Sequence, residues 1–92
     1  MHDIEHSDQK CQFRMSVDGQ DCILEYRLDE PVMTITHTWV PEALGGRGLA
    51  GEITRHALEF ARDRHWQVVP VCSYVAAYIR RHPQYNSLLH SS

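Results

Sequence analysis

Thr36-His37-Thr38-Trp39-Val40-Pro41-Glu42-Ala43-Leu44-Gly45-Gly46-Arg47-Gly48-Leu49-Ala50-Gly51-Glu52-Ile53 carries most of what this chain reveals. Its first half is rich in β-branched residues and reads as a strand, which Pro41 must end by removing a ladder donor. Its second half opens a helix behind three glycines in four positions, Gly45, Gly46 and Gly48. Without Cβ atoms, peptide N–H groups can crowd toward a ligand there, beside the unpaired donors and partial positive charge of a helix start. The natural guest of such a backbone is a phosphate or pyrophosphate.

Upstream, Gln12 to Val17 alternates, placing Phe13, Met15 and Val17 on one face of a strand. Asp18-Gly19 reads as a hairpin turn. Cys22 to Leu28 alternates again, with Cys22, Leu24, Tyr26 and Leu28 on one side, and Asp29-Glu30-Pro31 supplies the turn into a strand over Val32 to Val40. On that strand the odd residues Ile35, His37 and Trp39 are expected to share a face. Downstream, Leu49, Ile53, Ala57, Phe60 and Ala61 recur at helical spacing and predict a helix from Leu49 to about Arg64. Trp66 to Val71 reads as a short strand, parallel to the one before the helix through a right-handed crossover. A second helix is expected from Ser73 or Tyr74 to about Arg81, stopped by His82-Pro83, with one short turn over Gln84 to Leu89. Residues 1–8 and 90–92 read as loose ends, and His2 and His6 as residues with no specific role.

At 92 residues the chain is long enough for one core and a single domain, 1–92. A hydrophobic share of 42% and a charged share of 23% are those of an ordinary globular protein. No apolar run spans a membrane, and the polar first ten residues are no signal peptide, so a cytoplasmic location is expected. A net charge of −3 without a basic block argues against nucleic acid as a partner. Three cysteines without C-x-x-C spacing indicate neither a disulfide scaffold nor a zinc site, and Cys11 and Cys22 read as strand packing; no metal is expected.

The order β-β-β-α-β-α, with a glycine loop at the third strand's exit, resembles the GNAT superfamily of acyl-CoA-dependent N-acetyltransferases, and most closely its short, stand-alone yjdJ-type branch. The resemblance rests on Thr36-His37-Thr38-Trp39-Val40-Pro41, Gly46-Arg47-Gly48-Leu49-Ala50, Pro70-Val71-Cys72-Ser73-Tyr74-Val75 and Tyr78-Ile79-Arg80-Arg81-His82-Pro83-Gln84-Tyr85. It covers about the last sixty residues. It implies an α/β (α+β) fold: a minimal GNAT core whose mixed sheet has antiparallel N-terminal strands and a parallel last pair, without the two N-terminal helices and C-terminal hairpin that usually shape the acceptor pocket.

The resemblance also implies a cofactor, acetyl-CoA, with CoA as product. Full-length members hold the pyrophosphate with Gln/Arg-x-x-Gly-x-Gly/Ala; Gly48 and Ala50 match the last two defined positions, while Gly45 stands where Gln or Arg is usual. Gly45, Gly46, Arg47, Gly48, Leu49 and Ala50 would form the loop, with Arg47 adding a charged contact to phosphate. The pantetheine arm would pair with open backbone near Trp39 and Val40 and thread toward Ser73, leaving the thioester close to Cys72. Tyr78 would face the CoA sulfur, although Tyr74, one turn earlier, competes for that assignment. Arg80 and Arg81 either meet the 3′-phosphate or balance the helix dipole.

His37 and Cys72 are the candidate catalytic residues. A histidine near neutral pKa suits removal of a proton from the attacking amine; the competing account is a half-buried structural histidine. Cys72 stands at the C-terminal end of a central strand and just before a helix, where a thiolate is favoured, so it could accept the acetyl group or protonate the leaving sulfur. Packing as a small hydrophobe is its other reading. The function implied is acetyl transfer to an amine of unknown identity, in a protein lysine, a peptide or a polyamine, by a monomer or weak dimer. A non-catalytic acyl-CoA sensor and a protein-interaction module are the alternatives.

Overall fold

The alternation of Phe13, Met15 and Val17 with Gln12, Arg14 and Ser16 builds a half-buried strand, and that pattern repeats until one face of a five-stranded sheet is apolar. The computed structural model describes residues 2–90. Its strands are β1 (Ile4–Ser7), β2 (Gln12–Val17), β3 (Gln20–Asp29), β4 (Val32–Trp39) and β5 (Gln67–Pro70), with helices α1 (Leu49–Asp63) between β4 and β5 and α2 (Ser73–Arg81) after β5. The strands lie in chain order, antiparallel from β1 to β4 and parallel between β4 and β5. Short 3-10 segments cover Glu42–Leu44 and Pro83–Leu88.

Asp18 and Gly19, both at positive φ, close the β2–β3 hairpin in two residues, with Val17 opposite Gln20. α1 lays Leu49, Ile53, Ala57, Leu58 and Ala61 on the apolar sheet face. It ends in a Schellman turn: His65 takes the left-handed conformation (φ 61°), its N–H donates to the Arg62 carbonyl, and the Trp66 N–H donates to the Ala61 carbonyl at 2.9 Å. That turn drops Trp66 back into the core before β5 begins. α2 packs beside α1 and buries Val75 and Ile79. Among the described residues nothing covers the opposite face of the sheet, where Arg14, Glu25, Arg27, His37 and Trp39 are exposed.

The ends differ from expectation. Residues 1–8 were expected to be loose, yet Ile4–Ser7 pairs with Gln12–Met15 as an edge strand. His6 points inward, stacked on Phe13 at 4.5 Å and tilted against Phe60 at 4.4 Å, with its Nε2 hydrogen-bonded to the Tyr26 hydroxyl. His2 is held by Glu52, whose carboxylate accepts from the His2 backbone N–H at 2.9 Å. At the other end the His90 N–H donates to the Val68 carbonyl at 3.0 Å; Met1, Ser91 and Ser92 lie outside the described residues. Cys22 packs in the core as expected, whereas Cys11 sits half-buried in the turn before β2, at φ 52°.

Candidate active site

β4 and β5 run together from Val32–Gln67 to Ile35–Pro70 and then part. Pro70 has no N–H to extend the ladder. The last link is the Cys72 N–H donating to the Ile35 carbonyl at 2.9 Å, after which the chain turns into α2 while β4 continues to Trp39. The backbone of β4 from Thr36 onward is therefore paired only on its β3 side, and its other edge opens into a cleft.

A bulge determines which side chains face that cleft. Tyr26 pairs with Ile35 but its neighbour Glu25 pairs with His37, so Thr36 is the extra residue on β4. The extra residue reverses the alternation. Ile35 is inside with Tyr26; beyond the bulge Thr38, opposite Leu24, takes the inner face, while His37 and Trp39, opposite Glu25 and Ile23, take the outer one. The expectation that Ile35, His37 and Trp39 share a face is overturned. His37 is exposed, not half-buried, and Trp39 is exposed as well.

The inner face belongs to Cys72. Its half-buried thiol lies 3.6 Å from the Thr38 hydroxyl. Burial pushes this thiol up, but the Val75 N–H, the Thr38 hydroxyl and the Tyr74 N–H together outweigh it and hold the pKa below the ordinary thiol value of 9.0. The donors from Tyr74 and Val75 belong to the first turn of α2, which has spare N–H groups at its start. Cys22, by contrast, is pushed up by burial. His37 and Cys72 thus flank the mouth of the cleft from opposite sides of the sheet and are not a contacting pair.

The glycine loop begins where β4 ends. Buried Leu44 and Leu49 clamp it at both sides, and Gly45 to Gly48 are exposed between them. Gly46 (φ 80°) and Gly48 (φ 72°, ψ 15°, the residue capping α1) both occupy the left-handed region. The first bond closing α1 is Glu52 N–H to Gly48 carbonyl, 3.1 Å. Among the described residues, the loop and cap hydrogen bonds use none of the N–H groups of Gly46, Arg47, Gly48, Leu49, Ala50 and Gly51. A run of free amide donors at a helix start fits a pyrophosphate. Arg47 instead donates to the Asp18 carboxylate at 2.8 Å, tying the hairpin tip to the loop and lowering the Asp18 pKa.

Across from the loop, α2 presents two phenols. A Cβ at Gly51 would lie 3.2 Å from the Tyr74 hydroxyl and 3.6 Å from the Tyr78 ring, so the absence of a side chain there lets the helices approach. Tyr74 is the phenol whose oxygen reaches the start of α1; Tyr78 stacks on His82 at 4.0 Å. Burial raises the pKa of both, which keeps the two phenols protonated. Ser73, exposed, opens α2, and Val40 is half-buried against the core. Arg80 and Arg81 are exposed in the last turn of α2. A groove of about 670 Å³ runs along α1 past Gly48, Gly51, Glu52, Arg55 and Tyr78, leading away from the loop; Cys72, His37 and Trp39 do not line it.

Thr38 and Gly51 are the residues here that sequence reasoning left unassigned, and Tyr74 entered it only as the alternative to Tyr78. Thr38 carried no signal, because only the bulge turns it inward. The Gly51 signal was available, as one more glycine one turn into a helix.

A sequence profile of the GCN5-related N-acetyltransferase family matches residues 12–88. Protein NATD1 of Mus musculus is 29% identical over 83 residues, covering 87% of this chain and 76% of that protein. NATD1 of Danio rerio is 28% identical over 87 residues, 89% and 79% of the two chains. The solution structure of a GCN5-like protein from Staphylococcus aureus superposes with a TM-score of 0.75 at 22% identity, covering 98% of this chain and 89% of that one. The chain belongs to the GCN5-related N-acetyltransferase family.

Proposed function

We propose that the protein transfers an acetyl group from acetyl-CoA to a primary amine. One observation supports the reading: the Cys72 thiol lies beside Thr38 on the unpaired β4 edge from Thr36 to Trp39, and that edge is followed along the chain by the unused N–H groups of Gly46 to Gly51. Backbone N–H groups from Gly46 to Ala50, behind Gly45, would hold the pyrophosphate, with Arg47 free to exchange Asp18 for a phosphate oxygen. Trp39 and Val40 would offer main-chain groups to the pantetheine amides, and Ser73 and the phenols of Tyr74 and Tyr78 would border the arm. When bound, acetyl-CoA supplies an activated thioester with a thiol leaving group.

On this reading the amine approaches from the open sheet face, where His37 takes its proton. Cys72, on the inner side, donates a proton to the departing sulfur. Its lowered pKa also favours a second route in which the Cys72 thiolate itself accepts the acetyl group and passes it to the amine. The two routes part on one measurement: intact-mass detection of acetyl-Cys72 after a mildly acidic quench supports the second, and full activity without it supports the first.

Calorimetric titration with acetyl-CoA, with 3′-dephospho-CoA as control, tests the cofactor. One-to-one saturable binding is expected, and Gly48→Glu abolishes it by setting a carboxylate among the phosphate donors. Tight binding by folded Gly48→Glu overturns the loop assignment. No binding by the folded parent protein removes the transferase reading and leaves a protein-interaction module; binding without transfer to any amine leaves an acyl-CoA sensor.

A further inference from the structure

The bulge at Thr36 gathers a second group of residues on the outer sheet face, at the mouth of the cleft. Glu25 is in register with His37, and Ile23 with Trp39, so the four side chains form two adjacent cross-strand pairs on one surface. Trp39 is 50% exposed, Glu25 and His37 are exposed, and Ile23 is half-buried beside them. The Glu25 carboxylate makes no ion pair or hydrogen bond among the described residues. Of the other charges on this face, Arg14 is paired with Glu5 at 2.7 Å, Asp21 accepts from the Ser16 hydroxyl, and Arg27, opposite Thr34, is the next outward residue after Glu25 on β3.

We infer that this surface receives the acceptor, and that the acceptor is a lysine side chain presented by a peptide or protein. An exposed carboxylate beside an exposed indole is a receptor for an alkylammonium: the charge meets Glu25, the methylene stem lies along Trp39 and Ile23, and Trp39 adds a cation–π attraction. His37, in register with Glu25, takes the proton that must leave before the nitrogen can attack a thioester carbon. The shape selects the source of the amine. Among the described residues no element covers this face, so the acceptor must bring its own walls, as a folded protein or extended peptide does and a small diamine does not. The inference rests on the proposed transfer reaction and adds Glu25 as a positioning residue acting on the acceptor.

The test is a titration of ¹⁵N-labelled protein with a lysine-containing peptide, with a norleucine peptide and 1,5-diaminopentane as comparison probes, followed by steady-state kinetics on the same peptide. Amide shifts are expected at Ile23, Glu25, His37 and Trp39 with the lysine peptide and not with norleucine. Glu25→Gln should raise the peptide KM about threefold and Glu25→Gln with Trp39→Leu about tenfold, the size of one exposed charge contact plus one cation–π contact, with kcat and acetyl-CoA affinity unchanged for Glu25→Gln. Glu25→Asp should restore the parent KM. Transfer to the peptide with an unchanged KM in Glu25→Gln and shifts elsewhere overturns the inference alone. Shifts at these four residues without any transfer or acetyl-CoA binding preserve the lysine surface and sink the transferase reading. Equal use of the diamine and the peptide refutes a protein source for the amine.

Discussion

Gly48 and Gly51 lie three residues apart, and replacing each with alanine should move stability in opposite directions. Around Gly48 a Cβ would meet nothing within 4 Å, whereas at Gly51 it would come 3.2 Å from the Tyr74 hydroxyl. Steric reasoning alone favours the Gly48 substitution; backbone reasoning reverses the order. At φ 72° and ψ 15° an L-residue pays roughly 1–2 kcal/mol. Alanine recovers about 0.4–1 kcal/mol by stiffening the unfolded chain, leaving a net loss of about 1 kcal/mol. For a domain this size that is a Tm drop of roughly 4–8 °C. Gly51 is helical, where alanine is favoured by up to about 1 kcal/mol. The crowded atom is the tip of a side chain that is 38% exposed and can swing toward solvent, so a gain of about 0.5 kcal/mol remains, or roughly 2–4 °C. Gly48→Asn, which tolerates the left-handed region and caps helices well, should sit within about 0.5 kcal/mol of the parent. Thermal and urea unfolding followed by circular dichroism reads all three. A neutral Gly48→Ala, or a Gly51→Ala less stable than Gly48→Ala, refutes the reasoning.

Further expectations concern chemistry and pH. Iodoacetamide should label Cys72 ahead of Cys22, with an alkylation midpoint below pH 9.0, and Thr38→Val should raise that midpoint by removing one donor to the sulfur; peptide mass mapping across pH reads both, and an unshifted midpoint removes the case for a poised thiol. His37→Ala should slow transfer about 10²-fold while acetyl-CoA affinity stays the same, and an unchanged rate reassigns His37 to the surface. Burial holds His6 and His56 below the ordinary value of 6.5, so the unfolded chain takes up protons that the folded one refuses. Their contribution to stability is complete above pH 6.5 and is lost as pH falls toward the folded values. Urea midpoints should fall over that window, and less steeply in His6→Phe; an NMR titration placing His6 at or above 6.5 contradicts this.

Local patterns located most of the elements because each is a local property. Alternation marked β2 and β3, β-branched content marked β4, and the 3.6-residue stripe marked α1. β1 escaped because Ile4–Ser7 is four residues long with Ile4 its only apolar side chain; its inward partner, His6, is buried by Phe13 and Phe60, the latter far along the chain. The glycine loop was legible for the same reason in reverse: the need for positive φ, met at Gly46 and Gly48, is written into residue type at the position itself.

What the sequence by itself determined, then, was the family, the core faces of β2 and β3 and the glycine loop behind which α1 opens. Only the tertiary structure decided which side chains the cleft sees. The run Met33 to Trp39 alternates without interruption, so nothing within it announces that Thr36 is an extra residue; that follows from how β4 must register against Glu25 and Tyr26 of β3. One inserted residue reverses a period of two, and it sends Thr38 to Cys72 and His37 to the open face. The lowered pKa of Cys72 likewise comes from donors on two elements, β4 and α2, whose meeting is a consequence of packing.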